Sequence, residues 1–397
     1  MLKKNIVATA HTPSYAIGAK VLDVVGDVSI SSRGLNKQSV KIGTELVEAR
    51  DARTEKYFGQ PLPKRRETQP ATPIPLAVAS CDGGRMQTRL AGGGQGVHNP
   101  AWRETKNALF LRMNGRSFDI DPHTELPGCF TDRARMKQLL CGVESETDSE
   151  DPLERQPEKT PPNVKEWRPE KVFRTGLSSL CDSNAFGRMM EAEADSRGFY
   201  RAEKRAYVSD GLPYNWTIQQ RHFPTFTPIL DFVHPLERVY ESARSVTSDE
   251  PARWDLFVRR AGLIWQGKVE QVLVELRADQ EAIGLPPQDC EEKDPRKVVA
   301  ETIHYFEANA SRMRYPQYRL EGLPVTSAHM ESYVKEVNYR VKGTSKFFDD
   351  GASGEAILEI RSQALCDDDR LERHLADRPG YVFNPNTRKP PLRATAA

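Results

Sequence analysis

Apolar residues recur at near-helical spacing close to the start of the chain, at Ala16-Ile17, Ala19, Val21-Leu22 and Val24-Val25, and stop at Gly26. That spacing predicts a helix closed by the glycine. A polar turn follows, and Leu35, Val40, Ile42 and Leu46-Val47 mark a second helix. Prolines at 61, 63, 70, 73 and 75, around the basic run Lys64-Arg65-Arg66, predict a linker over residues 59–75. The pattern then changes. Leu76 to Cys81 is a short, mostly apolar run of strand length, and Met86–Leu90 and Ala108–Met113 read as two more strands around a loop at Gly92–Gly96. A hairpin-rich start of this kind predicts the antiparallel portion of a mixed sheet. Residues 144–160 are acidic and proline-bearing, which predicts an exposed connector. Further on, the pattern predicts a helix over 164–198 and a strand over Arg205–Ser209. Another strand ends at Phe226–Phe232, and almost continuous helix covers 235–320. A last helix runs from Ala328 to Val341, and a basic, proline-bearing tail follows Arg378.

Composition changes this picture little. The chain has 397 residues, more than one ordinary core needs, so two or three units are expected. No apolar run approaches the roughly 18 residues of a membrane span, and no signal-peptide core opens the chain. These features predict a cytoplasmic protein with no membrane partner. The six cysteines are scattered without a CxxC pair and read as reduced thiols. Net charge is only +1, yet nucleic-acid binding requires a basic face more than a basic total. Arg33, Lys37, Lys41 and Arg50 supply such a face on the second N-terminal helix. The helix pair reads equally as a helix-turn-helix, with those cations on phosphates or base edges, and as the solvated face of a small bundle.

Three carboxylates stand out. Asp82 follows the first strand and precedes Gly83-Gly84-Arg85. Asp210 follows Ala206-Tyr207-Val208-Ser209 and precedes Gly211, and Glu331 lies early on the last helix. An acid at a strand end, followed by glycine, can face a cleft because glycine lets the backbone turn away. Carboxylate oxygens are the hard ligands that Mg²⁺ prefers. Singly, each signal also describes a turn or a solvated helix.

From residue 76 to about residue 375, the chain resembles bacterial insertion-sequence transposases of the DDE type, above all the Kra-type group related to Mutator-like elements. The matching segments are Ala79-Ser80-Cys81-Asp82-Gly83-Gly84-Arg85-Met86-Gln87-Thr88-Arg89, Val208-Ser209-Asp210-Gly211 and Leu230-Asp231-Phe232-Val233-His234. The last resembles that group's Asp/Cys-x-x-His signature. Tyr305-Phe306, Asn309, Arg312-Met313, Tyr315 and Gly322-Leu323-Pro324-Val325-Thr326-Ser327 lead to Glu331, and Asn338-Tyr339-Arg340-Val341-Lys342-Gly343-Thr344 follows it. Where members often have Ser-Gly before the third carboxylate, this chain has Ser327-Ala328. Members commonly carry a longer region ahead of the catalytic part.

The resemblance implies an α/β fold: a ribonuclease-H-like mixed sheet with an all-helical insertion, preceded by a small helical N-terminal segment. It implies a DNA-binding segment over 1–58 and a catalytic core over 76–234 and 323–375, split by the insertion at 235–322, with a basic tail at 376–397. It further implies Mg²⁺-dependent strand cleavage and strand transfer on double-stranded DNA by a homo-oligomer. Asp82, Asp210 and Glu331 would be both the catalytic residues and the ligands of two Mg²⁺ ions, for which Mn²⁺ would substitute. Asp231 and His234 would support the site, and Lys335, Arg340 and Lys342 would meet phosphates. The alternatives are a transposase-derived DNA-binding protein without transposition activity, and a metal-dependent nuclease with another role.

Overall fold

The computed structural model describes residues 1–89, 101–136, 167–343, 346–348 and 351–378. The glycine loop at 92–96, the acidic connector at 144–160 and the tail beyond 378 lie outside the described residues.

Three helices come first: α1 (Leu2–His11), α2 (Tyr15–Gly26) and α3 (Ser32–Phe58). Ser14 and Ser31 cap α2 and α3 by accepting the amides of Ile17 and Gly34. The helical spacing anticipated α2 and the first part of α3. It did not anticipate α1, whose buried side includes Asn5 and Thr9 and so breaks the apolar pattern.

A mixed sheet follows, made of β1 (Leu76–Thr88), β2 (Ala101–Asn114), β3 (Glu170–Ser179), β4 (Lys204–Ser209) and β5 (Thr227–Leu230). The strand order is β3-β2-β1-β4-β5. β1 and β2 pair antiparallel, as do β2 and β3, whereas β1, β4 and β5 run parallel. A two-residue strand, β6 (Phe347–Phe348), joins the far end of β1. The antiparallel opening agrees with the sequence pattern. Two expectations do not hold. Met86–Thr88 is the distal part of β1 and no separate strand, because the ladder to β2 continues through Gly83 and Gly84. The helix expected over 164–198 gives way to β3, followed by α4 (Ser183–Ser196). Val172, Phe173 and Thr175 suit a strand, and hydrogen bonding along β2, from Lys106 to Asn114, fixes it.

Helices α5 (Pro213–His222), α6 (Val233–Val246), α7 (Glu250–Trp265), α8 (Val269–Ile283), α9 (Pro295–Asn309) and α10 (Tyr315–Leu320) come next. From 233 to 320 the chain contains no strand. Phe232, Trp265 and Tyr315 meet edge to face at 4.9–5.1 Å and join this helical region to the end of β5. The last helices are α11 (Ala328–Val341), α12 (Gly351–Ala364) and α13 (Arg370–Asp377). α11 packs on β1 and β2, and α12 on β3. On the opposite face, Tyr207 of β4 meets Trp216 and Phe223 from α5 and its C-terminal end.

The N-terminal helices are bound to this core. Gly43 of α3 lies against α12 so closely that a Cβ would stand 2.4 Å from the carbonyl oxygen of Ala356. Arg340 and Arg361 donate to Thr9 and Ala10, carbonyls at the C-terminal end of α1, each at 2.9 Å. The 59–75 segment is tied down too, through Arg66 to Glu191 and Thr68 to Asp195. Gly43→Ala is therefore expected to destabilise the protein by about 1–3 kcal/mol through overpacking. On an exposed helix the same change would gain up to about 1 kcal/mol. Urea unfolding of the two proteins decides the sign, and a gain would mean that α3 does not dock as described.

Candidate active site

Parallel register brings three aspartates side by side. Cys81 pairs with Ser209, and Ser209 with Leu230, so Asp82, Asp210 and Asp231 are the next residues along three neighbouring strands. Ser209 Oγ donates to the Cys81 carbonyl at 2.9 Å, and the Asp231 amide donates to the Ser209 carbonyl at 2.9 Å. On the other side, Asp82 pairs with Asn107, and Asn107 with Ser178. One row thus crosses the sheet as Ser178, Asn107, Asp82, Asp210 and Asp231. Paired residues point to the same face, and Ser178 Oγ, 3.2 Å from Tyr333 Oη, identifies it as the face under α11.

The same ladder places Glu331. Phe232 N–H donates to the Val325 carbonyl at 2.9 Å, and Asp231 Oδ1 accepts the Ser327 amide at 2.9 Å. Ser327 precedes α11, and its carbonyl accepts the Glu331 amide. Glu331 therefore sits in the first turn of a helix anchored to the row at Asp231. Asp82 does not end its strand as expected, because β1 runs on to Thr88. Gly84 makes room for a neighbouring side chain instead of turning the chain: a Cβ there would stand 2.6 Å from Thr105 Oγ1, with Asn338 of α11 at 3.6 Å. After Asp210 the expected turn does occur, with Gly211 at φ +85°.

Each acid is held differently. Asp82 Oδ1 accepts the Gly83 amide at 2.6 Å. Burial, and then the charge of Asp210, push the Asp82 carboxyl up to about 6, and Glu331 adds to the shift while His234 opposes it. Asp210 Oδ1 accepts from Asn215 Nδ2 at 2.7 Å and from the Leu212 amide at 3.1 Å, which orients the side chain. Asp231 is fully buried, and burial lifts its carboxyl to about 6 against the pull of His234. Its Oδ2 has no hydrogen-bond partner and lies 3.6 Å from His234 Nε2. Burial works against a charge on His234, yet Glu237 at 3.3 Å, followed by Asp231, outweighs it and raises the imidazole to about 9. The imidazole of His234 is thereby pushed toward its charged form beside the acid row.

Among the described residues, no three His, Cys, Asp or Glu side chains are gathered closely enough to hold a metal ion. Glu331 has Lys335 Nζ at 4.0 Å. The donor chemistry nonetheless suits a hard cation: Asp82 and Asp210 are close enough for like charges to raise a pKa, and every donor is a carboxylate oxygen. Several buried polar atoms without a hydrogen-bond partner surround the row, among them Tyr214 Oη, Asn215 Oδ1, Tyr305 Oη, Asn338 Oδ1 and Asp231 Oδ2. Unsatisfied buried groups are costly in a core, and each of these calls for a partner such as water or an ion.

Two expected phosphate contacts are corrected. Arg340 is only 3% exposed, donates to Thr9 and lies over the Tyr15 ring at 4.4 Å. It belongs to the buried stripe of α11 with Met330, Tyr333, Val337 and Val341. Arg50 is 5% exposed and pairs with Glu355 and Glu359 at 2.9 and 2.8 Å. Arg33, Lys37 and Lys41 lie exposed along one edge of α3, and Lys335 and Lys342 are exposed as well. Sequence reasoning missed Asn215 and Tyr305 as neighbours of Asp210. For Asn215 a signal existed: an amide side chain in the first turn of the helix following an Asp-Gly pair. The chain matches no protein-family model and no curated protein sequence.

Proposed function

We propose that the chain is a DDE-type DNA transposase that cleaves and joins double-stranded DNA with Asp82, Asp210 and Glu331 in a ribonuclease-H-like core. The observation that carries this reading is the placement of Asp82 and Asp210 at adjacent register positions on parallel strands, under the helix bearing Glu331. The strand order β3-β2-β1-β4-β5, followed by a helical stretch before that helix, supports the same fold. Asp82 and Asp210 would hold Mg²⁺, or Mn²⁺ in its place, and Glu331 would complete the ligand set. Two such ions, when bound, supply activation of an attacking hydroxyl and stabilisation of the leaving 3′-oxygen. Asp231 would fix the start of α11 and with it the reach of Glu331, and His234 would offset part of the acid charge facing a phosphate.

A transposase-derived DNA-binding protein is the second reading, favoured by the lack, among the described residues, of three gathered His, Cys, Asp or Glu side chains. The two separate in one assay on a supercoiled plasmid carrying this gene with its flanking DNA. Strand cleavage with Mg²⁺ or Mn²⁺, abolished by EDTA, supports the enzyme. Binding that survives EDTA, with no cleavage under any condition, supports the binding protein. No helix among the described residues is long and apolar enough to cross a membrane.

DNA contact by α3 makes its own prediction. Arg33, Lys37 and Lys41 are exposed and lie four residues apart, on one helix edge. Replacing all three with Ala is expected to flatten the log–log dependence of affinity on salt by roughly 0.9 per lost phosphate contact. An unchanged slope in a titration series would move DNA binding to another surface.

A further inference from the structure

Helix α2 is turned inside out relative to an ordinary surface helix. Its packed side is made of Gly18 and Leu22, set against Thr12 and Leu35. Its outer side carries Ile17, Val21, Val24 and Val25 at 47, 41, 72 and 78% exposure, the densest run of exposed large apolar residues among those described. These positions follow i, i+4, i+7 and i+8 spacing and form one continuous stripe. Lys20 and Asp23 border the stripe on a single edge. Both are exposed. Capping by Ser14 and packing of Leu22 already stabilise the helix, so the stripe is not required for folding. Isolated surface valines are ordinary, but a contiguous apolar stripe marks an interaction face.

We infer that α2 pairs with α2 of a second copy of this chain, antiparallel, about a two-fold axis near the middle of the helix. An axis of that kind brings the same edge of each helix together. Lys20 of one copy then faces Asp23 of the other, twice over, and the valines of each stripe fall between those of its mate. The edge charges are self-complementary, and that is the reason for choosing a second copy as the occupant. Phosphates would be repelled by Asp23, and a membrane surface would require more than one bordering lysine. The stripe covers a few hundred Å², less than the roughly 800 Å² per partner of a stable complex. The pairing is therefore weak and concentration-dependent, and it rests on nothing about the catalytic reading.

Sedimentation equilibrium of the full chain, without DNA, tests this across a range up to about 100 µM, where an interface of this size is populated. The expected result is reversible dimer formation, abolished in Val21→Asp/Val24→Asp with unchanged helical circular dichroism. Lys20→Asp and Asp23→Lys alone should each weaken the dimer about tenfold, and the two together should return it to near the wild-type constant, because every facing pair is then again of opposite sign. A chain monomeric throughout would overturn the proposal. So would a dimer indifferent to Val21→Asp/Val24→Asp, or a double reversal no better than the singles.

Discussion

Mg²⁺-dependent strand cleavage is expected to fall by at least a hundredfold to a thousandfold in each of Asp82→Asn, Asp210→Asn and Glu331→Gln. All three changes keep the shape of the side chain and remove its charge. Asp82 and Asp210 lie in one row on adjacent strands, so loss of either carboxylate removes half of a coupled acid pair. DNA affinity should change little, since the exposed cations of α3 and the solvent-facing Lys335 are untouched. Lys335 is 81% exposed and its link to Glu331 is long, at 4.0 Å, so Glu331→Gln disturbs no packed contact. Normal cleavage in any one variant, measured beside the wild-type protein with equal binding, would remove that residue from the site.

Stability should move the opposite way in Asp82→Asn. The Asp82 carboxyl lies at about 6 in the folded protein against an ordinary 3.8, through burial first and the charge of Asp210 second. A folded-state value above the unfolded one means that the folded state binds the proton more tightly. Stability is then lost as pH rises through that interval, and the loss is complete above it. Two pH units correspond to about 3 kcal/mol, and solvent screening of a carboxyl that is not fully buried reduces this to roughly 1–3 kcal/mol. Asparagine can still accept the Gly83 amide but carries no charge. The variant should therefore be more stable than wild type by that amount near pH 8, with the difference vanishing below pH 4. Urea denaturation at both pH values, in EDTA, makes the comparison. Equal stability at pH 8 would mean that Asp82 is not under strain from its neighbours, and the acid row would lose its main electrostatic support. Acid groups that destabilise the fold where they stand are the pattern expected when activity sets the residue and stability yields.

Much of the scaffold was legible from local chemistry. Spacing made α2, the first part of α3 and α11 legible, because helical periodicity acts over a few residues. The strands before Asp82 and Asp210 were legible as short apolar runs, and the Asp-Gly pairs, with the early helical Glu331, singled out three carboxylates. Tertiary structure alone decided the rest. Asp82 lies within a strand because β2 supplies partners on past Gly83 and Gly84, a pairing no local pattern contains. β3 takes its place because β2 offers it a ladder, a pairing that the 164–198 pattern does not contain. Arg340 and Arg50 look like surface cations in the sequence, yet they close the C-terminal end of α1 and pair with Glu355 and Glu359 of α12. Asp231 joins Asp82 and Asp210 only through the β4–β5 register. Residue type and short-range spacing determine which groups can do chemistry. Which of them meet depends on long-range pairing, where local preference is too weak to choose.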